Sequence, residues 1–166
     1  MVPTNQPFAA ELMGENLQSE PTNKLDDVLG GVGSVAQPGV VKFTATSTVM
    51  IKRIMMSHHE SGVAFDPNKF GAAVLANGLK IVKVTTSGET SLIGETTIQR
   101  YTDAMEKGFK IQRDFEDSDW YQSVLDFEEV CGVYIRLRAG ESIEVRNQDD
   151  ISGKSHLAFA ITGFVV

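Results

Sequence analysis

The stretch VVKFTATSTVMIKRIMM, residues 40–56, alternates apolar and polar side chains with a period of two. The residues that share its apolar face are Val41, Phe43, Ala45, Val49 and Ile51, and those on the polar face are Lys42, Thr44, Thr46, Thr48 and Lys52. Successive side chains of a strand point to opposite sides, so this stretch predicts a strand with one buried face. The alternation shifts at Lys52-Arg53, where a β-bulge would return Ile54 and Met56 to the buried face.

The C-terminal residues 157–166 predict a second kind of strand. Its two faces are both apolar, one with Leu157, Phe159, Ile161 and Val165, the other with Ala158, Ala160, Phe164 and Val166. This pattern is typical of a strand that is central in a sheet or covered on both sides. The preceding Gly153-Lys154-Ser155 is similar to the end of a P-loop, but the required upstream glycine is Gln148 and no helix is expected to follow. We therefore interpret Gly153 as a turn residue.

Two segments predict local strand pairing. Asn77-Gly78 between apolar runs favours a tight hairpin, with a helix over residues 66–76 as the competing interpretation. In RLRAGESIEVR, residues 136–146, a three-residue loop would match the apolar and the charged faces of two flanking strands. The expected pairs are Leu137 with Ile143, Ile135 with Val145 and Arg136 with Glu144.

The middle of the chain predicts one short helix from Ile98 to Lys107, ended by Gly108. Residues 119–137, DWYQSVLDFEEVCGVYIRL, predict a strand, a turn and a second strand. Many short strands with one or two short helices indicate an all-β protein, and we expect an antiparallel β-sandwich of the jelly-roll type.

Residues 1–38 differ from the rest. They hold four of the five prolines, a single aromatic residue and the stretch GGVGS at residues 30–34. Such a segment buries too little apolar surface to offset the entropy of ordering it. We expect an extended or disordered N-terminal arm over residues 1–38 and a β-sandwich domain over residues 39–166. The arm is either a loose tail or a segment that becomes ordered on a neighbouring subunit.

Composition limits the partners that the chain is expected to have. The formal net charge of −7 opposes a general affinity for nucleic acid, which needs clustered Lys and Arg. The sequence has neither the long apolar run of a membrane span nor the pattern of a secretory signal, so we expect synthesis in the cytosol. Cys131 is the only cysteine, and the apolar run around it predicts a buried structural thiol.

Candidate metal and calcium sites are weak. His58-His59-Glu60 offers ligands that suit zinc, iron or manganese, but adjacent strand residues face opposite sides, which favours two loop histidines at the end of a strand. His156 is the third histidine. An acidic stretch also lacks the glycine and the spacing of an EF-hand and predicts a solvated loop. Its acidic residues are Asp114, Glu116, Asp117, Asp119, Asp126, Glu128 and Glu129.

Two further groups of residues are candidates for binding or catalysis. Trp120-Tyr121 offers a platform for stacking a carbohydrate, although large aromatic residues more often anchor a core. Arg146 precedes Gln148-Asp149-Asp150, where adjacent acidic residues more often form a turn with local hydrogen bonds than a catalytic pair. The sequence therefore predicts no catalytic residue, no cofactor-binding residue and no metal ligand.

The C-terminal segment IRLRAGESIEVRNQDDISGKSHLAFAITGFVV, residues 135–166, resembles the small β-rich virion proteins of tailed bacteriophages. In that group an AGDSI turn, a strand ending in QDDLSG and a last strand ending in a Gly-aromatic pair recur. Here these motifs stand as AGESI at Ala139–Ile143, QDDISG at Gln148–Gly153, and Gly163-Phe164. FGAAVLANGLKI fits an earlier hairpin of the group and Trp120 fits its Asp-Trp site, while residues 1–38 lie outside the resemblance.

The resemblance implies a structural or decoration protein of the virion, not an enzyme, with a jelly-roll-like sandwich and no cofactor. Its implied partners are the major capsid protein or other virion proteins and further copies of itself in a homo-oligomer. The net charge and the composition, independently of the resemblance, predict no nucleic-acid and no membrane partner. A host-receptor or glycan-binding tail or head-fibre module is the alternative. A metal-dependent jelly-roll enzyme that uses His58 or His59 is the third interpretation.

Overall fold

The computed structural model describes residues 6–12, 38–59, 66–69, 74–113, 120–149 and 156–166. The strands in these residues are β1 (Gln6–Leu12), β2 (Gly39–Thr44), β3 (Val49–His59), β4 (Leu79–Thr85), β5 (Gly88–Ser91), β6 (Lys110–Arg113), β7 (Trp120–Asp126), β8 (Ile135–Leu137), β9 (Ser142–Asn147) and β10 (His156–Val165). Two short helices interrupt them, α1 (Tyr101–Glu106) and α2 (Phe127–Cys131). The prediction of an all-β protein with one or two short helices is confirmed.

The strands form two antiparallel sheets. The six-stranded sheet has the order β1-β10-β3-β7-β6, and β8 also pairs with β3. The four-stranded sheet has the order β2-β9-β4-β5. One sheet curls into a half-barrel. Most neighbouring strands are far apart in the sequence, so the chain passes repeatedly from one sheet to the other.

Both sheets contribute to one hydrophobic core. The four-stranded sheet supplies the buried residues Val41, Leu79, Ile81, Ile143 and Val145. The six-stranded sheet supplies Ile51, Ile54, Met56, Leu125, Leu137, Phe159 and Ile161. Helix α1 adds Tyr101 and Ala104. The removal of this apolar surface from water is the main favourable contribution to folding.

Residues 40–56 form two strands instead of the single predicted strand, since β2 belongs to the four-stranded sheet and β3 to the six-stranded sheet. Val41, Ala45, Val49 and Ile51 are nevertheless buried, as the alternation predicted. The alternation of buried and exposed residues continues from β2 into β3 because both sheets face the same core. The crossing is tied to the turn before β9, since Ala45 N donates to Glu141 O at 2.9 Å and Gly140 N donates to Ala45 O at 2.8 Å.

The predicted β-bulge at Lys52-Arg53 is confirmed. The pairing of β3 with β10 shifts register between Thr162 and Gly163, which lie opposite Arg53 and Ile51, so Lys52 is the extra residue. Ile51 and Ile54 both reach the core as a result. A Cβ at Gly163 would overlap the carbonyl oxygen of Met50, which explains why glycine lies opposite the bulge.

The hairpin predicted between residues 135–137 and 143–145 is wrong. Strand β8 pairs with β3, where Leu137 lies opposite Val49 and Ile135 opposite Ile51. Both edges of β9 are already occupied, by β2 and by β4. The intervening turn therefore carries the chain from one sheet to the other. Ile143 and Val145 still face the core. The prediction of which side chains are buried was therefore right, and the prediction of which strand pairs with β9 was wrong.

The hairpin predicted at Asn77-Gly78 is also wrong. Strand β4, which begins at Leu79, pairs with β5 and β9, and residues 74–75 before the turn are not a strand. The competing helix over residues 66–76 lies partly outside the described residues.

The two helices follow local signals. Helix α1 begins three residues later than predicted, where the Asp103 carboxylate accepts hydrogen bonds from Gln99 N and Arg100 N, both at 3.0 Å. It ends before Gly108, as predicted. Helix α2 replaces the predicted turn after β7. Asp126 caps it by accepting from the backbone N–H of Glu128 and Glu129.

Strand β1 lies inside the segment that the sequence predicts to be an arm. It pairs with β10 over seven residues, from Gln6 opposite Val165 to Leu12 opposite Phe159. The rest of residues 1–37 lies outside the described residues. Strand β10 thus has β1 on one side and β3 on the other, which confirms the prediction that the last strand is central.

Candidate functional site

The histidine pair lies within a strand and not in a loop, which corrects the favoured interpretation of His58 and His59. Both are the last residues of β3, where His59 is the register partner of His156 in β10 and of Trp120 in β7. Glu60 lies outside the described residues. Among the residues that the structure describes, no group of three or more His, Cys, Asp or Glu is placed to hold a metal ion.

Asp149 forms a hydrogen-bonding site that links two distant loops. Its carboxylate accepts from Asn77 N at 3.0 Å, from Asn77 Nδ2 at 3.1 Å and from Gly78 N at 2.6 Å. Its backbone N donates to Asn147 Oδ1, and Asn147 Nδ2 donates to the Asp149 carbonyl. The predicted local hydrogen bonds are present, but the carboxylate itself binds a turn 71 residues away. Asp149 is thus a structural residue that positions the start of β4.

Among the described residues, Arg146 pairs with Glu89 and Glu144 and not with Asp149. It contacts Glu89 at 2.8 Å and Glu144 at 2.8 Å on the outer face of the four-stranded sheet. Lys80 also lies near Glu89. Val82 is fully buried but is not part of the main hydrophobic core cluster. The Arg146 guanidinium lowers the pKa of Glu89 by hydrogen bonding and by charge. Asp150 and Gly153-Lys154-Ser155 lie outside the described residues.

The described part of the acidic stretch is ordered in a strand and a helix, which corrects the prediction of a solvated loop. Asp126 accepts from Arg53 Nε at 2.6 Å, Glu128 contacts Lys52 at 2.9 Å, and Glu129 pairs with Lys110. The other four acidic residues, at 114–119, lie outside the described part. These contacts place two adjacent cations of the β3 bulge against the β7–α2 junction.

The electrostatics of this junction favour the charged forms. Burial alone would raise the pKa of Asp126, but hydrogen bonds from Arg53 and from the Glu129 backbone outweigh it and hold the pKa below its usual range. The hydrogen bond from Lys52 and then that from Tyr134 lower the pKa of Glu128. The same Glu128 raises the pKa of Tyr134.

A groove of about 400 Å³ lies on the outer face of the six-stranded sheet at this junction. The residues that line it are Arg53, Met55, Gly108, Lys110, Gln122, Val124, Asp126 and Glu129. Its four charged side chains pair with each other as Arg53–Asp126 and Lys110–Glu129. The groove therefore combines the apolar side chains of Met55 and Val124 with Gln122 and two ion pairs, and charges matched in this way suit contact with a surface better than acid–base chemistry.

The sequence alone did not reveal this groove, although it contains two signals of it. The Lys52-Arg53 break was interpreted only as a bulge, and the alternate spacing of Gln122, Val124 and Asp126 marks one outward face of a strand. Only the pairing of β3 with β7 brings Arg53 close to the outward-facing residues of β7.

Cys131 is exposed, so the prediction of a buried structural thiol is wrong. It is the last residue of α2, and its apolar neighbours Val130 and Val133 are 45 % and 55 % exposed. Val130 also packs against Gly108, where an added Cβ would lie 2.8 Å from the valine methyl group. Residues 130–133 of the apolar run thus lie at the surface, whereas Leu137 at its end belongs to the core.

Trp120 and Tyr121 begin β7, in register with His59 and His58.

No protein-family model matches this chain, and neither a curated protein nor a solved structure is found to match it. Within the described residues, neither helix has the length and apolar character needed to cross a membrane.

Proposed function

We propose that this protein is a structural, non-enzymatic component of a tailed-phage virion, of the decoration type that associates with the capsid. In this role it binds neighbouring subunits through residues 1–38, so its partners are the major capsid protein or other virion proteins and further copies of itself. The observation that carries the proposal is the pairing of β1 with β10, because it gives this segment a way to bind by strand addition.

A jelly roll is the finer fold that we propose. The antiparallel pairs nest along the chain: β4 with β5 is innermost, followed by β3 with β7, β2 with β9 and β1 with β10. A long antiparallel hairpin rolled into two sheets produces such nested pairs, and that is the construction of a double Greek key. Strands β6 and β8 are additions to this scheme. The resemblance of residues 135–166 to β-rich virion proteins points to the same fold.

The described surface also supports a binding role. The charged side chains of the groove and of the outer face of the four-stranded sheet are matched within the protein. Apolar side chains at Met105, Val130 and Val133 are about half exposed. Such a surface adds contact area between neighbouring subunits, and contact with folded subunits stabilises a shell by mass action.

Copy number in purified particles tests the proposal. Quantitative mass spectrometry and cryo-electron microscopy would compare particles made with the full chain and with a chain that lacks residues 1–38. We expect many copies on the shell with the full chain and few with the shortened one. Circular dichroism must show that the shortened chain folds, and Ala9→Pro, which blocks strand pairing, is the second variant. Absence of the full chain from particles would overturn the proposal.

A host-recognition module that binds a surface glycan is the second candidate. It is favoured by the register that aligns Trp120, His59 and His156 across three neighbouring strands at one end of the sheet. Aromatic residues are common in sugar sites because their rings present a flat apolar face. Binding of the isolated protein to a glycan array, lost in Trp120→Ala, would favour this candidate. A few copies at the tail or neck would agree with it.

A further inference from the structure

The connection between β1 and β2 is long in the sequence. Residues 13–38 separate the two strands and number 26, although β1 and β2 lie within contact distance of each other. Connections in compact domains commonly need about 4–6 residues, and those above about 15 usually have a function or act as linkers. Fully extended, 26 residues span about 90 Å. A domain of this size is about 35 Å across.

The contacts of β1 are concentrated on one strand. All seven of its residues have register partners in β10, and β1 lies at the edge of the six-stranded sheet. An edge strand that makes one ladder can be supplied by another copy of the same chain without the loss of any of these pairs. The β1–β10 hydrogen bonds are therefore the same whether the two strands belong to one chain or to two. The two arrangements differ only in the path of the linker, residues 13–38.

The linker weakens the preference for pairing within the chain. The effective concentration of a tethered segment falls roughly as the −3/2 power of tether length once the tether exceeds the span. A second copy offers an identical β10 edge, and a connection of 26 residues is long enough to reach it. An uncovered β10 would present an open row of N–H and C=O groups, so every copy has to receive a strand from some source.

We propose that β1 of one copy pairs with β10 of a second copy, so that the protein assembles by exchange of its N-terminal strands. The inference deepens the proposed function and rests on it for the role of the arm, because it names a second copy of this chain as the partner. We expect the exchanged ladder to form in purified protein too, without a virion. A closed exchange gives a small ring or dimer, whereas an open one gives a chain of copies.

A cysteine cross-link tests this pairing directly. Ala9 lies opposite Thr162 in the register. Two variants are made in a Cys131→Ser background, because that thiol is exposed. One carries Ala9→Cys and the other carries Thr162→Cys. After the two are unfolded, mixed, refolded and oxidised, we expect a disulfide-linked dimer of one chain of each kind on a non-reducing gel.

The matched control replaces Thr162→Cys with Ala158→Cys, four positions along the same strand. That shift moves the thiol about 13 Å away from Ala9, which is beyond the reach of a disulfide. We expect at least tenfold less mixed dimer from this pair. Equal yields from both pairs would indicate random collision and would overturn the proposal.

A single chain with both Ala9→Cys and Thr162→Cys decides between the two arrangements. The exchange would also be overturned if this chain gave only a monomer with an internal disulfide and if the separate variants gave no mixed dimer. Light scattering of the unmodified protein gives the second measurement if a variant does not fold: exchange predicts dimers or larger species, and a monomer at every concentration contradicts it. A protein that is monomeric but abundant on particles would reject the exchange and support the virion role. An exchanged oligomer that is absent from particles would support the exchange and reject the virion role.

Discussion

The carboxylate of Asp149 accepts a hydrogen bond of 2.6 Å from the backbone N–H of Gly78, which lies 71 residues earlier in the chain. The same carboxylate accepts from the backbone N–H of Asn77 at 3.0 Å. Gly78 itself has a φ of +80° and lies against the carbonyl of Ile98. The end of β9 and the start of β4 are therefore joined by side-chain as well as by sheet hydrogen bonds.

Asp149→Ala is expected to lower the free energy of unfolding by about 1–3 kcal/mol, because it leaves the N–H groups of Asn77 and Gly78 without their acceptor. Urea unfolding measured by fluorescence gives the value. Glu95→Gln is the control, since it removes an acidic charge at an exposed position. A loss in Asp149→Ala no larger than that in the control would contradict the structural role of the carboxylate.

Gly78→Ala is expected to be more destabilising than Gly94→Ala, although the two glycines have φ values of +80° and +82°. A Cβ at Gly78 would lie 2.6 Å from Ile98 O, whereas one at Gly94 would meet open space. Gly94→Ala should cost about 1 kcal/mol for its backbone conformation alone. Gly78→Ala should cost about 1–3 kcal/mol more because of the overlap. Thermal unfolding of both variants measures the difference, and equal losses would refute the close contact.

Stability is expected to fall in acid through Asp126. Its folded pKa is below the ordinary value of 3.8. The contribution of the carboxylate is therefore present above the unfolded pKa and is lost as the pH falls through the folded pKa, below about pH 4. Urea midpoints at pH 7 and pH 3 should differ less in Asp126→Asn and in Arg53→Gln than in the unmodified protein. Asparagine remains a good helix cap, so Asp126→Asn changes mainly the charge. Parallel pH curves for all three proteins would contradict this prediction.

Cys131 is expected to react completely with a thiol reagent in the folded protein, because its side chain is exposed. The extent of labelling under native conditions should equal that in denaturant, as measured by absorbance and by intact mass. Cys131→Ser should change the free energy of unfolding by no more than about 0.5 kcal/mol. Protection of the thiol in the native state would show that another surface covers α2.

The sequence predicted which side chains are buried better than it predicted which strands pair. Burial depends only on alternation towards a core that both sheets share, so Val41, Val49 and Ile51 were assigned correctly across a sheet boundary. Pairing depends on a choice among matching faces. Ile143 suits Leu137 on hydrophobic grounds, yet it lies opposite Phe43 and Lys83. Period-two patterns carry no information about that choice.

The candidate sites show the same limit. The apolar run around Cys131 predicted burial, but a helix of five residues turns Val130 and Cys131 outward. Local hydrogen bonds at Asp149 were predicted, although not their partner Asn147, which lies only two positions away. The contact of Asp149 with Gly78 and the groove between Arg53 and Asp126 arise from pairing over long sequence distances, and for that reason the sequence did not reveal them.

The nesting of the strand pairs sets an expected order of assembly. Strands β4 and β5 are joined by only two residues and can close within microseconds, as local hairpins do. The pairs of β2 with β9 and of β1 with β10 bring together residues about a hundred or more positions apart, and non-local sheets of this kind fold in milliseconds to seconds. The outermost ladder is therefore the last to form. A newly made chain should carry an unpaired N-terminal strand and an uncovered β10 edge for most of its folding time, which is also the interval in which another newly made copy can capture them.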